Sequence, residues 1–251
     1  GIWRPIKTNV PGFKITELFP KQAKVADKFS IIRSLHHDQG DHFTAAHYVL
    51  TSRGGPDGNS RGGRNPGIGS VAAKMCGSRT PGLPAYVSVP YASSVGLRPG
   101  YFAGNYLGSP FNPFETDGDP NVAGFRPTNL QPLEALTIDR LEHRKELRAH
   151  LDQLRRNVDA TGALDSMDRF QQQAYEIVTS DATRNAFDIA SEDAKLRDRY
   201  GRHQFGQSAL LARRLVEAGS TFVTVHYGGW DHHWDLKKWM ENNLPIVDAA
   251  V

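Results

Sequence analysis

The chain has 251 residues, 39% hydrophobic and 23% charged, and its 30 Lys plus Arg against 27 Asp plus Glu leave a net charge of +3. That is the composition of a globular domain, and so small a charge, spread without a basic stripe, argues against a nucleic-acid or membrane-surface partner. No apolar run approaches the roughly 20 residues that span a bilayer, and a lone cysteine, Cys76, excludes an internal disulfide framework and a cysteine-based zinc cluster.

In chain order, Leu18, Phe19, Val25 and Ala26 predict a partly apolar helix over 16–28, with Pro20 in its first turn. Residues 29–34 (Phe-Ser-Ile-Ile-Arg-Ser) read as a strand that runs into the polar stretch His36-His37-Asp38-Gln39-Gly40-Asp41-His42. A short helix follows over 44–51. Residues 53–66 hold five Gly and two Pro and read as a loop. A small-residue helix over 68–76 and a buried strand over 86–89 come next. The stretch 93–132 reads as a long irregular loop whose aromatics, among them Tyr101, Tyr106, Phe111 and Phe114, could wall a site. Apolar periodicity predicts helices over 136–156, 164–179 and 205–218, the last capped by Gly219. The β-branched run 221–225 reads as a buried strand. Leu236, Trp239, Met240, Leu244 and Val247 recur at helical spacing over 234–251, with Pro245 among them. That last pattern runs on without a Gly cap, and Gly1 follows neither Met nor a signal peptide, so the sequence reads as an internal fragment of a longer chain. Helix, short turn, buried strand and polar loop in succession is the grammar of an α/β fold in a single domain over 1–251.

Two polar clusters carry candidate chemistry, each just after a predicted strand, where α/β sheets place their ligands. In His226-Tyr-Gly-Gly-Trp-Asp231-His232-His233, an extended backbone points Asp231 and His233 the same way, so both can reach one divalent cation. Carboxylate plus imidazole suits zinc, manganese or iron better than calcium. The bland alternative is an exposed polar loop with Trp230 packed on the core. The second cluster, His36 to His42 with His47, either forms a metal or phosphate-type site or is a solvated loop in which Asp41 caps a helix starting at His42. His42 and His47, five apart, do not share a helix face well. Cys76 reads as a buried hydrophobe rather than a nucleophile, and 139–146 as a solvated charged helix face. Gly62-Gly63-Arg64 and Gly67-x-Gly69 lack the strand and acidic partner of a dinucleotide fingerprint.

These residues resemble a known family. Ile32-Arg-Ser-Leu-His36-His37, Asp41-His42 with Tyr48-Val-Leu-Thr51, and Ile68-Gly-Ser-Val71 match it in order along the chain. Tyr106-Leu-Gly108, Ala186-Phe-Asp188, Arg199-Tyr-Gly201, Gln207-Ser208, 211–219 and Gly228-Gly-Trp-Asp231-x-His233 continue the match. Together they are similar to the family called domain of unknown function 1501, a branch of the alkaline phosphatase and sulfatase superfamily. The resemblance implies a doubly wound, mostly parallel sheet flanked by helices, alkaline-phosphatase-like and truncated at both ends, with one or two divalent metals and a nucleophile acting on phosphate or sulfate esters. Asp231 and His233 would be metal ligands; His42 and His37 would be ligands or acid–base groups. Thr51-Ser52-Arg53 is similar to the Thr-Gly-Arg that ends the nucleophile helix of sulfatases. Counting back along it sets His42 at the nucleophile position and Thr44 two residues on, while the usual Cys/Ser-x-Pro-Ser-Arg is absent. The family's export signals imply an extracytoplasmic location, and its flanking segments imply further ligands outside this chain. The expected activity is metal-dependent hydrolysis of a small-molecule or polysaccharide ester; the alternative is an inactive scaffold that binds a glycan on the 101–114 aromatic loop.

Overall fold

The computed structural model describes residues 2–54, 65–93, 100–130, 177 and 180–251. The helices expected over 136–156 and 164–179 lie outside these residues except for Ile177, which is helical, as do most of the 53–66 loop and the charged run 139–146.

The chain opens on a small antiparallel pair, β1 (Pro5–Lys7) and β2 (Lys14–Thr16), with Ile6 opposite Ile15 and Gly12 turning the connection at φ +77°. This hairpin takes Thr16 out of the helix expected over 16–28. Only Gln22–Lys28 is helical, as a 3-10 helix broken at Val25 (φ −125°), and it buries Ala23 and Ala26. Its first free N–H groups, on Lys21 and Gln22, are taken by the carboxylate of Asp248 at 2.8 Å each, so a side chain from the far end of the sequence caps it. Residues 29–34 form no strand. They are irregular, with Ile32 74% exposed, because a β-branched run becomes a strand only where a neighbour takes its N–H and C=O groups, and no described strand runs beside it.

Two helices follow, α1 (His42–Thr51) and α2 (Ile68–Cys76); the first starts at His42 on an Asp41 cap, as the capping alternative has it and two residues before the 44–51 span. Cys76, expected inside, is exposed at the end of α2. Strand β3 (Tyr86–Val89) is buried at every position, as expected. The 93–132 stretch is more structured than its Gly and Pro content predicts. Its described part holds three 3-10 turns over 100–111 and a short strand, β4 (Phe114–Glu115). Then come α3 (Asp181–Phe187), α4 (Ala194–Tyr200), α5 (Gln204–Ala218), β5 (Phe222–Val225) and α6 (Leu236–Ala250), which runs straight through Pro245.

The sheet has the order β4-β3-β5, all parallel, with Tyr86 opposite Phe222 and Val89 opposite Val225. Alternation splits its faces. Val87, Val89 and Val223 meet Leu210, Leu211 and Leu215 of α5, with Phe187 and Ile189 completing that core. Tyr86, Phe222 and Thr224 face the other way, where α2 packs. Gly69 lets α2 come this close, since a Cβ there would lie 2.5 Å from the Tyr86 ring. Helices thus cover both faces of a small parallel sheet, an α/β arrangement. β5 is only half-buried rather than fully buried, because β3 pairs with it on one side and no described strand on the other. The turn into β5 is fastened by Gly219, whose N–H reaches Leu215 and Val216 O at 3.1 Å, and by Ser220 Oγ, which donates to Pro84 O at 2.8 Å.

Two outcomes follow from these caps. Asp248→Ala orphans two N–H groups and should cost about 1–3 kcal/mol in denaturant unfolding, with new proteolytic nicking near residues 20–28. His203 caps α5 by accepting the Gly206 N–H on Nδ1 at 3.0 Å, and burial holds its imidazole below the usual 6.5 against the opposing pull of Asp119. Its contribution is whole above the unfolded value and lost as pH falls below it, so melting temperature should drop between about pH 7.5 and 5.5. His203→Asn, which caps without titrating, should flatten that slope.

Candidate functional site

Beyond Val225 the chain leaves the carboxyl end of the sheet. His226 N still donates to Val89 O at 2.9 Å, prolonging the ladder by one residue, and Gly229 turns the backbone at φ +81°. Past this turn the Asp231 carboxylate sits between two imidazoles. His233 Nε2 lies 3.0 Å from Oδ1, as the two-residue spacing predicts, and His42 Nε2 lies 3.2 Å from Oδ2. His42 is the first residue of α1, and its position depends on the cap beneath it. Asp41 Oδ1 accepts the N–H groups of Phe43 at 3.0 Å and Thr44 at 2.9 Å, so the helix begins where His42 can meet Asp231.

The loop is stiffened by rings rather than by backbone bonds. Tyr227 stacks on Phe205 of α5 with centroids 4.4 Å apart, and its hydroxyl donates to Asn243 Oδ1 of α6 at 3.1 Å. Trp230 meets Tyr227 edge-on at 5.4 Å, and His232 stacks on Trp239 at 4.5 Å. His226 tilts against Tyr91 at 5.4 Å; burial pushes its imidazole pKa down, against a hydrogen bond with the Ser93 backbone. Burial likewise raises the Tyr227 hydroxyl. The sequence offers Phe205 and Trp239 only as helix residues and gives Phe205, Tyr227, Asn243 and Trp239 no part in holding this loop. The four-residue step from Trp239 to Asn243, one helical turn on a single face, was the signal for the last two.

Asp231, His42 and His233 are all half-exposed, so the cluster opens to solvent. One carboxylate and two imidazole nitrogens are donors that zinc or manganese accepts. Each O···N separation is close to the ~3.3 Å edge of a tetrahedron built on bonds of about 2.0–2.1 Å. Asp231 with either histidine therefore fits two adjacent corners of a coordination sphere. The three side chains pair through Asp231 and do not close round one point. Among the described residues, no group of three or more His, Cys, Asp or Glu is arranged to hold a metal ion.

The other predicted residues stay apart from this cluster in their contacts. His37 Nδ1 accepts the N–H of Gln39 at 3.2 Å in an exposed turn. Thr44 Oγ1 donates to Asp41 Oδ1 at 3.1 Å. His47 lies inside, edge-on to Tyr101 at 6.0 Å, with Nδ1 donating to Arg53 O at 3.0 Å. Tyr101 is 2% exposed and lines an internal pocket rather than the open Asp231 cluster, whereas Tyr106 is exposed. Beside Tyr101 and Phe102, a pocket of about 240 Å³ is lined by Leu50, Ile68 and Phe222 and is largely apolar.

The Asp41 carboxyl is held below its usual range chiefly by the Thr44 N–H, then by the Thr44 hydroxyl and the Phe43 N–H. The cap is whole above the unfolded value of 3.8 and is lost as pH falls through the lower folded value. Asp41→Ala should therefore speed hydrogen exchange of the first α1 amides at neutral pH, and Asp41→Asn should preserve their protection.

No curated protein and no solved structure matches the chain. The family model described as Protein of unknown function (DUF1501) matches residues 1–251, and the chain belongs to that family.

Proposed function

We propose that this chain is a metal-dependent hydrolase of phosphate or sulfate esters on a doubly wound, alkaline-phosphatase-like scaffold. The observation that carries the reading is the Asp231 carboxylate flanked by His42 Nε2 and His233 Nε2 beyond the carboxyl end of β5. Asp231 and His233 would hold a divalent ion such as zinc or manganese, with His42 as a further ligand or as the proton carrier. A divalent ion bound there supplies Lewis acidity toward the ester oxygens and makes bound water acidic.

The chain's own residues would do the rest. Asp231 pairs with Nε2 of both imidazoles and so orients them; His233 would give up that pairing to act as a ligand, whereas His42 would keep it as the proton carrier. Water would add to phosphorus or sulfur and release a proton to solvent as the bond to the alcohol oxygen breaks, and protonated His42 would pass its proton to that oxygen and regain one from solvent. Thr44 is a poor rival to water as nucleophile, because its hydroxyl donates to Asp41, a carboxylate held weakly basic by its cap bonds. His37, on the loop before α1, is the second acid–base candidate. An extracytoplasmic setting for the reaction is supported by the family resemblance alone.

The test is metal content by mass spectrometry of the wild type beside the Asp231→Ala, His233→Ala double variant. Wild type should carry about one equivalent, lost in the variant, and a screen of phosphate and sulfate esters then reads turnover. Equal metal content in both proteins would refute the assignment of these ligands.

A further inference from the structure

The outer edge of β5 has no described neighbour. The N–H groups of Phe222 and His226 donate to Ala85 O at 3.0 Å and Val89 O at 2.9 Å, so the even-numbered residues from 222 to 226 turn their main chain toward β3. In a parallel strand alternate residues bond to opposite sides. That leaves the N–H and C=O groups of Val223 and Val225 on the outer edge, unpaired among the described residues. The apolar pocket of about 240 Å³ borders the same edge: Phe222, Val223 and Thr224 line it together with Leu50 and Ile68. A cavity of about 150 Å³ already accepts a benzene ring. Unpaired main-chain groups fit an extended chain, and the pocket fits one large apolar side chain carried on it.

We propose that residues 29–34 of the same chain dock on this edge in a second, closed state, as a strap that shuts over the Asp231 cluster. The segment has what the edge lacks. No backbone hydrogen bond holds it among the described residues, and Ile31, Ile32 and Leu35 are exposed. Two consecutive isoleucines suit a strand covered on both faces, one turned to the pocket and the other to the leucine side of the sheet. Direction and reach agree. The chain runs from the segment toward His42, which is fixed beside Asp231 at the carboxyl end of the sheet, so the docked strand is parallel to β5. Ser34 lies eight positions from His42, and Val225 six from Asp231, so the tether is the longer of the two connections. In the open state the segment is clasped by the hairpin connection instead. Phe29 meets the Phe13 ring at 6.3 Å, and the Arg33 guanidinium lies 5.8 Å over that ring. Closure exchanges this clasp for main-chain pairing and burial in the pocket, and it draws 35–41 across the mouth of the open cluster. A strand from another chain is the less favoured occupant, because a tethered segment meets the edge at a far higher effective concentration. The use of closure, to exclude water from a reacting ester, rests on the reading of the Asp231 cluster as an ester site; the docking itself does not.

Amide hydrogen exchange, followed residue by residue, tests the docking without turnover, so its outcome is separate from that of the metal and hydrolysis assays. It is run in EDTA and again with zinc and inorganic phosphate. In at least one of these conditions the amides of Val223 and Val225, and alternate amides over 30–34, should exchange at least about tenfold more slowly than free chain. Val223→Pro removes an outward N–H and no bond to β3, and it should return 30–34 to free-chain exchange while β3 stays protected. An Ile31→Asp, Ile32→Asp double variant, altered only at side chains exposed in the open state, should do the same. Phe13→Ala, which removes the clasp, should slow exchange over 30–34 by a further few-fold, the size of one exposed cation–π contact. The proposal is overturned if 30–34 exchanges as free chain in both conditions, or if its protection survives Val223→Pro or the aspartate variant. Protection that rises with protein concentration would equally overturn it, since the strand would then come from a second copy. Protection lost in both variants, in a protein that takes up no metal, would support the strap and refute the hydrolase reading.

Discussion

The parallel register of β3 with β5 is the constraint on which the rest of the structure depends. With Tyr86 opposite Phe222 and Val89 opposite Val225, the two strands end level and the polar loop starts at the carboxyl edge of the sheet. The same register sends Val87, Val89 and Val223 to the leucines of α5 and leaves Tyr86, Phe222 and Thr224 to α2. A slip of one residue would exchange the faces, setting the Tyr86 hydroxyl, now 3.2 Å from Thr224 Oγ1, against a leucine core. Burial on both sides therefore fixes where the Asp231 loop begins.

From that fixed point the cluster is assembled by two different means. On one side a local device, the Asp41 cap, starts α1 at His42 and presents the imidazole. On the other, the 226–233 loop has little ladder to hold it and relies on rings: Phe205 under Tyr227, Tyr227 against Trp230, Trp239 under His232. Stacking of this kind fixes a loop that must keep its backbone open to solvent and to ligand. It also explains why Asp231 can be half-exposed and still hold two histidines at hydrogen-bond distance.

Helix α6 joins the parts. Its Asn243 holds Tyr227, its Trp239 holds His232, and its buried Asp248 caps the 3-10 helix of the N-terminal segment, while Glu241 takes the Trp3 indole. One helix thus links the candidate site to the hairpin at the start of the chain. The alternating use of its residues, ring toward the loop and carboxylate toward the N terminus, is what its amphipathic pattern does not reveal.

Elements whose causes lie within a few residues were legible in the sequence. The α2 helix, the β3 strand, the Gly219 cap and the Asp231–His233 pair each follow from local spacing, because capping, chirality and side-chain alternation act over one turn or two residues. Reasoning of the same kind failed for 29–34 and for the first half of 16–28. A strand needs a partner that its own residues do not name, and Pro5 competes with the helix for Thr16. The meeting of His42 with Asp231, the burial of His226 and the cap from Asp248 belonged to the tertiary structure alone. The sequence by itself determined which side chains could do chemistry and which local frame held them; only the packing of the sheet and α6 decided which of them meet, because contacts between distant segments are set by the fit of whole surfaces and not by spacing along the chain.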